Sequence, residues 1–149
     1  MAINEKKFNF SKPWIFIDDV LEVNDNGIVT QKNISYSDVF LQGHFLSYSV
    51  YPGMLLLEGI KQSIFIWKTE SSADPSTEIY QIRSQARFLH PVRPGNIVIY
   101  EISAFDHGNE EWTFMGTGTV GNIVVTRFSM IFLDHNGGKG GVRICRNRT

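Results

Sequence analysis

Hydrophobic and polar positions fall into two regimes: short strand-like runs toward both ends of the chain, and one dense apolar block between them. Ile15 to Val23 is rich in isoleucine and valine and closes on Asn24-Asp25-Asn26-Gly27. Ile28 to Ile34 then returns as its hairpin partner. Tyr36 to Gly43 reads as a short irregular or helical passage. Pro52-Gly53 opens the dense block, and the spacing predicts a helix over Met54 to Lys68. Its apolar residues (Met54, Leu55, Leu56, Leu57, Ile60, Ile64, Phe65, Ile66, Trp67) cover most of the circumference, the mark of an interior helix.

Thr69 to Thr77 is polar, contains Pro75 and reads as a surface loop. Four strands follow, Ile79 to Leu89, Ile97 to Asp106, Trp112 to Val120 and Ile123 to Leu133. Turn signals at Pro94-Gly95-Asn96, His107-Gly108-Asn109 and Gly121-Asn122 separate them and argue for antiparallel pairing. Two strands, a buried helix and four strands fit one α+β domain, an antiparallel sheet wrapped around a central helix. The expected division is an N-terminal arm (1–11), the domain (12–134) and a flexible Gly-rich basic tail (135–149).

Composition narrows the function. The chain has 149 residues, 42% of them hydrophobic and 19% charged, enough for one domain with a substantial core. A net charge of −1 gives no reason to expect nucleic-acid binding. Lys139, Arg143, Arg146 and Arg148 are concentrated at the end, so the rest of the chain is acidic. Cys145 is the single cysteine, which excludes an intramolecular disulfide and a Cys-rich zinc site. Glu58, Lys61 and Gln62 interrupt the longest apolar stretch, so no membrane span is expected and a cytoplasmic protein is the default.

The candidate chemistry lies between Gln42 and Glu58. Glu58 interrupts the apolar helix among Leu55, Leu56, Leu57 and Ile60. Buried, such a carboxyl is a candidate general acid; on a narrow solvent edge it would simply face Lys61 or Gln62. His44 follows Gly43 and is bracketed by Phe45, Tyr48 and Tyr51, which suits either a base in a desolvated pocket or a hydrogen-bonded structural histidine. His90, His107 and His135 read most simply as surface histidines. Gly53 begins the helix, where the first amides lack internal partners and carry partial positive charge. A thioester carbonyl aimed at the Gly53 N–H would be polarised as an enolate forms. Jointly, the three groups suit removal of an α-proton by His44 and protonation of a leaving hydroxyl from Glu58.

These residues resemble the 3-hydroxyacyl-[acyl-carrier-protein] dehydratases, a hot-dog fold family. Their signature runs Gln-Gly-His-Phe-Pro-Gly-x-Pro-x-x-Pro-Gly-x-Leu-x-x-Glu; Gln42, Gly43, His44, Phe45, Pro52, Gly53, Leu55 and Glu58 match it at the same spacing. Ala86-Arg87-Phe88, Pro91-Val92 and Pro94-Gly95-Asn96 resemble a second family block, and Lys12 to Val20 looks like the family's first strand. The resemblance implies a hydro-lyase that converts a carrier-bound 3-hydroxyacyl thioester to the trans-2-enoyl product. His44 and Glu58 would be catalytic, Val50 would orient the imidazole through its carbonyl, and Gly53, Phe45 and Tyr51 would join it in binding substrate. It further implies a homodimer, or a trimer of dimers, with His44 and Glu58 of different subunits meeting. No metal or redox cofactor is implied, the substrate riding on phosphopantetheine.

Leu46-Ser47 and Ser49 replace the Pro-Gly and proline of the signature, removing rigid positions from the loop. That departure suggests a substrate outside ordinary fatty-acid synthesis, such as a polyketide, polyene or other secondary metabolite. Two other readings stand beside the dehydratase. One is a hot-dog thioesterase in which Glu58 activates water. The other is a non-catalytic subunit that binds an acyl chain or carrier protein. Acyl carrier proteins are acidic, so Arg83, Arg87 and Arg93 are the candidate docking residues.

Overall fold

The computed structural model describes residues 10–44, 47–71 and 78–135. The chain runs through β1 (Asp19–Asn24), β2 (Gly27–Asn33), a one-turn 3-10 helix (Val39–Leu41) and the long helix α1 (Gly53–Ser71). Then come β3 (Glu78–Phe88), β4 (Ile97–Asp106), β5 (Glu111–Val120) and β6 (Ile123–His135). All six strands form one sheet in the order β1-β2-β4-β5-β6-β3, antiparallel throughout. The sheet holds α1 against its inner face, the architecture of a hot-dog fold.

Local signals place most of these elements. The β1–β2 turn is held by the Asn24 side chain, which accepts from the Asn26 amide at 2.9 Å. At Gly27 the strands come so close that a Cβ would lie 2.0 Å from the Ile102 carbonyl oxygen. β1 begins at Asp19, later than the expected Ile15, because Phe16 and Ile17 are both buried and do not alternate.

β3 departs further from expectation. It does not form a hairpin with β4; it pairs with β6 at the far edge, and β4 pairs with β2. Residues Leu89 to Asn96 carry the chain back across the sheet. Pro91 and Pro94 have no amide to offer a ladder, which keeps the crossing out of the sheet. Five backbone bonds fix it in place: Leu89 and His90 N–H to Val125 (2.8 and 3.4 Å), Tyr51 N–H to Val92 (2.7 Å), Gly95 N–H to Ile34 (2.8 Å) and Ile34 N–H to Asn96 (2.9 Å).

The core lies between α1 and the sheet. Leu56, Ile60, Ile64, Ile66 and Trp67 of the helix pack with Ile28, Val98, Tyr100, Phe114, Met130 and Phe132. Trp67 meets Trp112 and Phe114 edge-on at 5.2 and 5.4 Å, and Phe114 meets Phe132 at 5.6 Å. Phe10, within the expected arm, packs against Phe65 and so belongs to the core's margin. The helix is not enclosed all round, as its apolar circumference had suggested. Met54 is 70% exposed, and Leu57, Glu58, Lys61 and Phe65 on the same stripe are only partly covered. One sheet reaches around part of a helix only, so this stripe is left for something else to cover.

No helix among the described residues is long and apolar enough to cross a membrane. The residues beyond His135, where the basic tail was expected, lie outside the described residues. Ile64 has 0% exposure at the centre of the core. Ile64→Ala is expected to lower unfolding free energy by about 3 kcal/mol, read as a shifted urea midpoint at unchanged slope.

Candidate active site

The entry to α1 and the crossing segment enclose a cleft of 410 Å³. His44, Val50, Tyr51, Gly53 and Leu56 form one wall, and Phe88 to Val92 the other. The wall depends on a close approach: a Cβ at Gly53 would lie 2.9 Å from the Phe88 ring. Glycine therefore lets Phe88 close over the first helical turn.

His44 sits just past the 3-10 helix, after Gly43, whose φ of +78° lies in the left-handed region that favours glycine. Its Nδ1 lies 2.6 Å from the Val50 carbonyl oxygen. A carbonyl only accepts, so Nδ1 carries the proton and Nε2 of the neutral ring carries the lone pair. Gly53 is the first residue of α1, and its amide is among the first-turn groups without an intrahelical acceptor. Histidine, carbonyl tether and helix-start amide thus share one wall. Tyr51 lies there too, 2% exposed, with burial as the main reason its phenol is held well above the usual tyrosine range.

Glu58 is not part of this cleft wall. It lies on the partly covered stripe of α1 with its side chain 23% exposed, ion-paired to Lys61 at 3.5 Å. Its Oε1 accepts a hydrogen bond of 3.1 Å from Gln62 Nε2. Both neighbours named for the solvent-edge reading are present, but Gln62 is far from exposed. It is 1% exposed, accepts from the Phe16 amide at 2.9 Å and donates to the Trp14 carbonyl at 3.1 Å. A buried amide therefore fixes both the Glu58 carboxylate and the segment before β1.

The other expected site residues divide. Phe45 lies outside the described residues. Arg93 stands beside the cleft, its guanidinium 5.7 Å from the Tyr48 ring centroid. Arg83 and Arg87 are exposed on β3, and Arg87 pairs in register with Arg127 on the sheet's outer face. No carboxylate pairs with Arg83, Arg87 or Arg127 among the described residues.

Sequence reasoning gave Phe88 and His90 no role in the site and took Gln62 only as a solvent-edge neighbour of Glu58. His90 is exposed, as a surface histidine should be, yet it lines the same cleft as His44. No local signal points to it, because the crossing brings it there. Gln62 did carry a signal, a polar side chain four residues after Glu58 on an apolar helix.

Fold and site define a hot-dog domain with a histidine and a helix-start amide in one cleft. Comparison with known proteins places it. The FabA-like domain model matches residues 11–129, and the chain belongs to that family. The 3-hydroxyacyl-[acyl-carrier-protein] dehydratase FabZ of Campylobacter lari is 36% identical over 114 residues, 72% of this chain and 78% of that protein. The protein of the same name from Thermotoga neapolitana is 33% identical over 119 residues, 80% of this chain and 85% of its own length. Among solved structures, the dehydratase heterocomplex ApeI:P from Xenorhabdus doucetiae superposes with a TM-score of 0.70 at 14% identity. It covers 89% of this chain and 91% of the matched one, a likeness of fold.

Two outcomes follow from the buried polar groups. Gln62→Leu strands the buried Phe16 amide and is expected to cost about 2 kcal/mol in urea unfolding, with Gln62→Glu, which sets a second buried carboxylate against Glu58, costing more at neutral pH. Burial also raises the Tyr100 phenol far above its ordinary value, as it does that of Tyr51. Above about pH 10 the unfolded chain gives up phenolic protons that the folded chain keeps, so stability falls as pH rises. Urea midpoints should begin to drop at about pH 10 and keep falling as pH rises further, less steeply in Tyr100→Phe.

Proposed function

We propose that the chain dehydrates a 3-hydroxyacyl thioester carried on an acyl carrier protein, giving the trans-2-enoyl thioester. The observation that supports this most is the 2.6 Å contact between His44 Nδ1 and the Val50 carbonyl. It leaves Nε2 unprotonated as a base at a helix start that polarises a carbonyl. Hydrolysis by Glu58 and water makes no demand on such a histidine. The names of the FabZ relatives favour the same reading.

In this reaction the thioester oxygen accepts from the Gly53 amide, and Nε2 of His44 takes the α-proton. The C–H electron pair moves into the enolate, whose charge the helix-start amide stabilises. Those electrons return to form the Cα–Cβ double bond as the Cβ–O bond breaks. The hydroxyl leaves as water with a proton from Glu58, which must enter the step protonated and so released from its ion pair with Lys61. The walls around Phe88 hold the pantetheine arm and the start of the acyl chain, and Tyr51 borders the chain beyond them.

Glu58 reaches the reaction from a second copy of the chain. Two features support a homodimer as the smallest working unit. The stripe of α1 that bears Glu58 is only partly covered, and β3 presents an unpaired edge with Tyr80, Ile82 and Phe88 each about half exposed. Such an edge pairs readily with another strand, and a symmetric dimer places the same edge on both partners. The carrier protein docks at Arg93 beside the cleft, with Arg83 and Arg87 as outlying contacts. This makes turnover sensitive to salt. The pathway is fatty-acid, polyketide or polyene synthesis.

Mixed dimers test the shared site. His44→Ala and Glu58→Gln should each abolish enoyl product, followed by mass spectrometry of a carrier-bound 3-hydroxyacyl substrate. Refolded together from an equal mixture, they are expected to regain about a quarter of wild-type activity, because half the dimers carry one intact site. Hydrolysed acid in place of enoyl product, surviving in His44→Ala, would identify a thioesterase. No recovery on mixing would place both residues in one chain's site.

A further inference from the structure

Two buried hydroxyls have no part in these proton transfers. Tyr51 and Tyr100 are 2% and 0% exposed, and neither phenolic oxygen has a hydrogen-bond partner among the described residues. An unsatisfied buried hydroxyl destabilises the fold, and phenylalanine would fill the same space without that penalty. Elsewhere in this core buried hydroxyls are satisfied: Thr30 bonds to Ser63 at 2.7 Å, and Ser63 donates to the Gly59 carbonyl at 2.8 Å. The two tyrosines stand apart from that rule.

Their placement ties them to the cleft. Tyr51 borders it directly, and Leu56 forms its inner wall while remaining 2% exposed. Tyr100 rises from β4 toward α1 through a slot left by two glycines. A Cβ at Gly118 would lie 3.3 Å from the ring, and one at Gly59 would lie 3.2 Å from the hydroxyl. Gly59 follows Leu56 by three residues of α1, about 4.5 Å along the axis. The Tyr100 hydroxyl, against Gly59, thus sits just behind the inner wall. The two phenols are near enough for Tyr51 to add to the raised pKa of Tyr100, and Asp18 acts on both.

We propose that Tyr51 and Tyr100 form a polar end to the acyl site and select chains that carry a hydroxyl or carbonyl oxygen beyond the reacting carbons. The inference rests on the thioester reading of the cleft and names its substrate class. A chain that passes His44 and displaces the Leu56 side chain comes up against the two hydroxyls. A terminal methyl would leave both dry and unsatisfied, whereas an oxygen accepts from one or both. A site built to hydrogen-bond an oxygen rejects the analogue that lacks it far more strongly than an apolar pocket separates chains by size.

The test compares carrier-bound 3-hydroxyacyl chains of equal length, one ending in a methyl and one bearing a distal hydroxyl or keto group. Wild type is expected to favour the oxygenated chain at least tenfold in kcat/KM. Tyr51→Phe and Tyr100→Phe should each cut that ratio severalfold, mainly through KM. Unreactive amide analogues of the same chains should show the same ratio in binding, independently of turnover. Equal kcat/KM for both chains in wild type would overturn the inference while leaving the dehydratase reading intact. A preference untouched by either phenylalanine variant, with a raised Tm, would overturn it too, the hydroxyls then meeting ordered water only. Selective binding of the oxygenated analogue without any enoyl product would keep the selectivity and remove the dehydratase.

Discussion

The close approach of α1 to its surroundings sets the dimensions of everything else. At Gly53 a Cβ would collide with the Phe88 ring, and at Gly59 it would lie 2.8 Å from the Phe16 carbonyl oxygen. Because the helix can lie that near, the crossing segment closes over its first turn and the Tyr51 amide reaches the Val92 carbonyl. The cleft is the space left between those two elements. Larger residues at either glycine would move the helix start, and with it the amide that faces the cleft.

Buried polar groups divide by whether the chain satisfies them. Gln62 uses both ends of its amide, and in doing so locks the segment before β1 to the helix and holds Glu58. Thr30 and Ser63 do the same at mid-core. Tyr51 and Tyr100 do not, and they stand beside the one cleft that already has a tethered histidine.

The chain divides its chemistry in the same way. His44, the Val50 carbonyl and the Gly53 amide lie within a short stretch of backbone, so local geometry assembles them. Glu58 lies one turn further along but on another side of the helix, turned toward Lys61. The partly covered stripe and the outer edge of β3 are both left by a sheet that ends before it encloses the helix. A central helix wrapped by a single sheet is left partly open along one stripe.

Much of this was legible in the residues alone, wherever the determining physics is local. Turn residues fixed the limits of β4, and the Pro-Gly pair fixed the start of α1, because both act within a few residues. The motif from Gln42 to Glu58 marked the cleft for the same reason. What lay beyond reach depends on contacts between distant segments. The β3–β6 pairing, the exposure of one helical stripe, the entry of His90 into the cleft and the glycine slot that holds Tyr100 follow from which strand crosses where. Sequence by itself determined the elements and the candidate acid, base and amide. Only the tertiary structure decided which of them face one another, since pairing partners and burial are set by the packing of the whole chain.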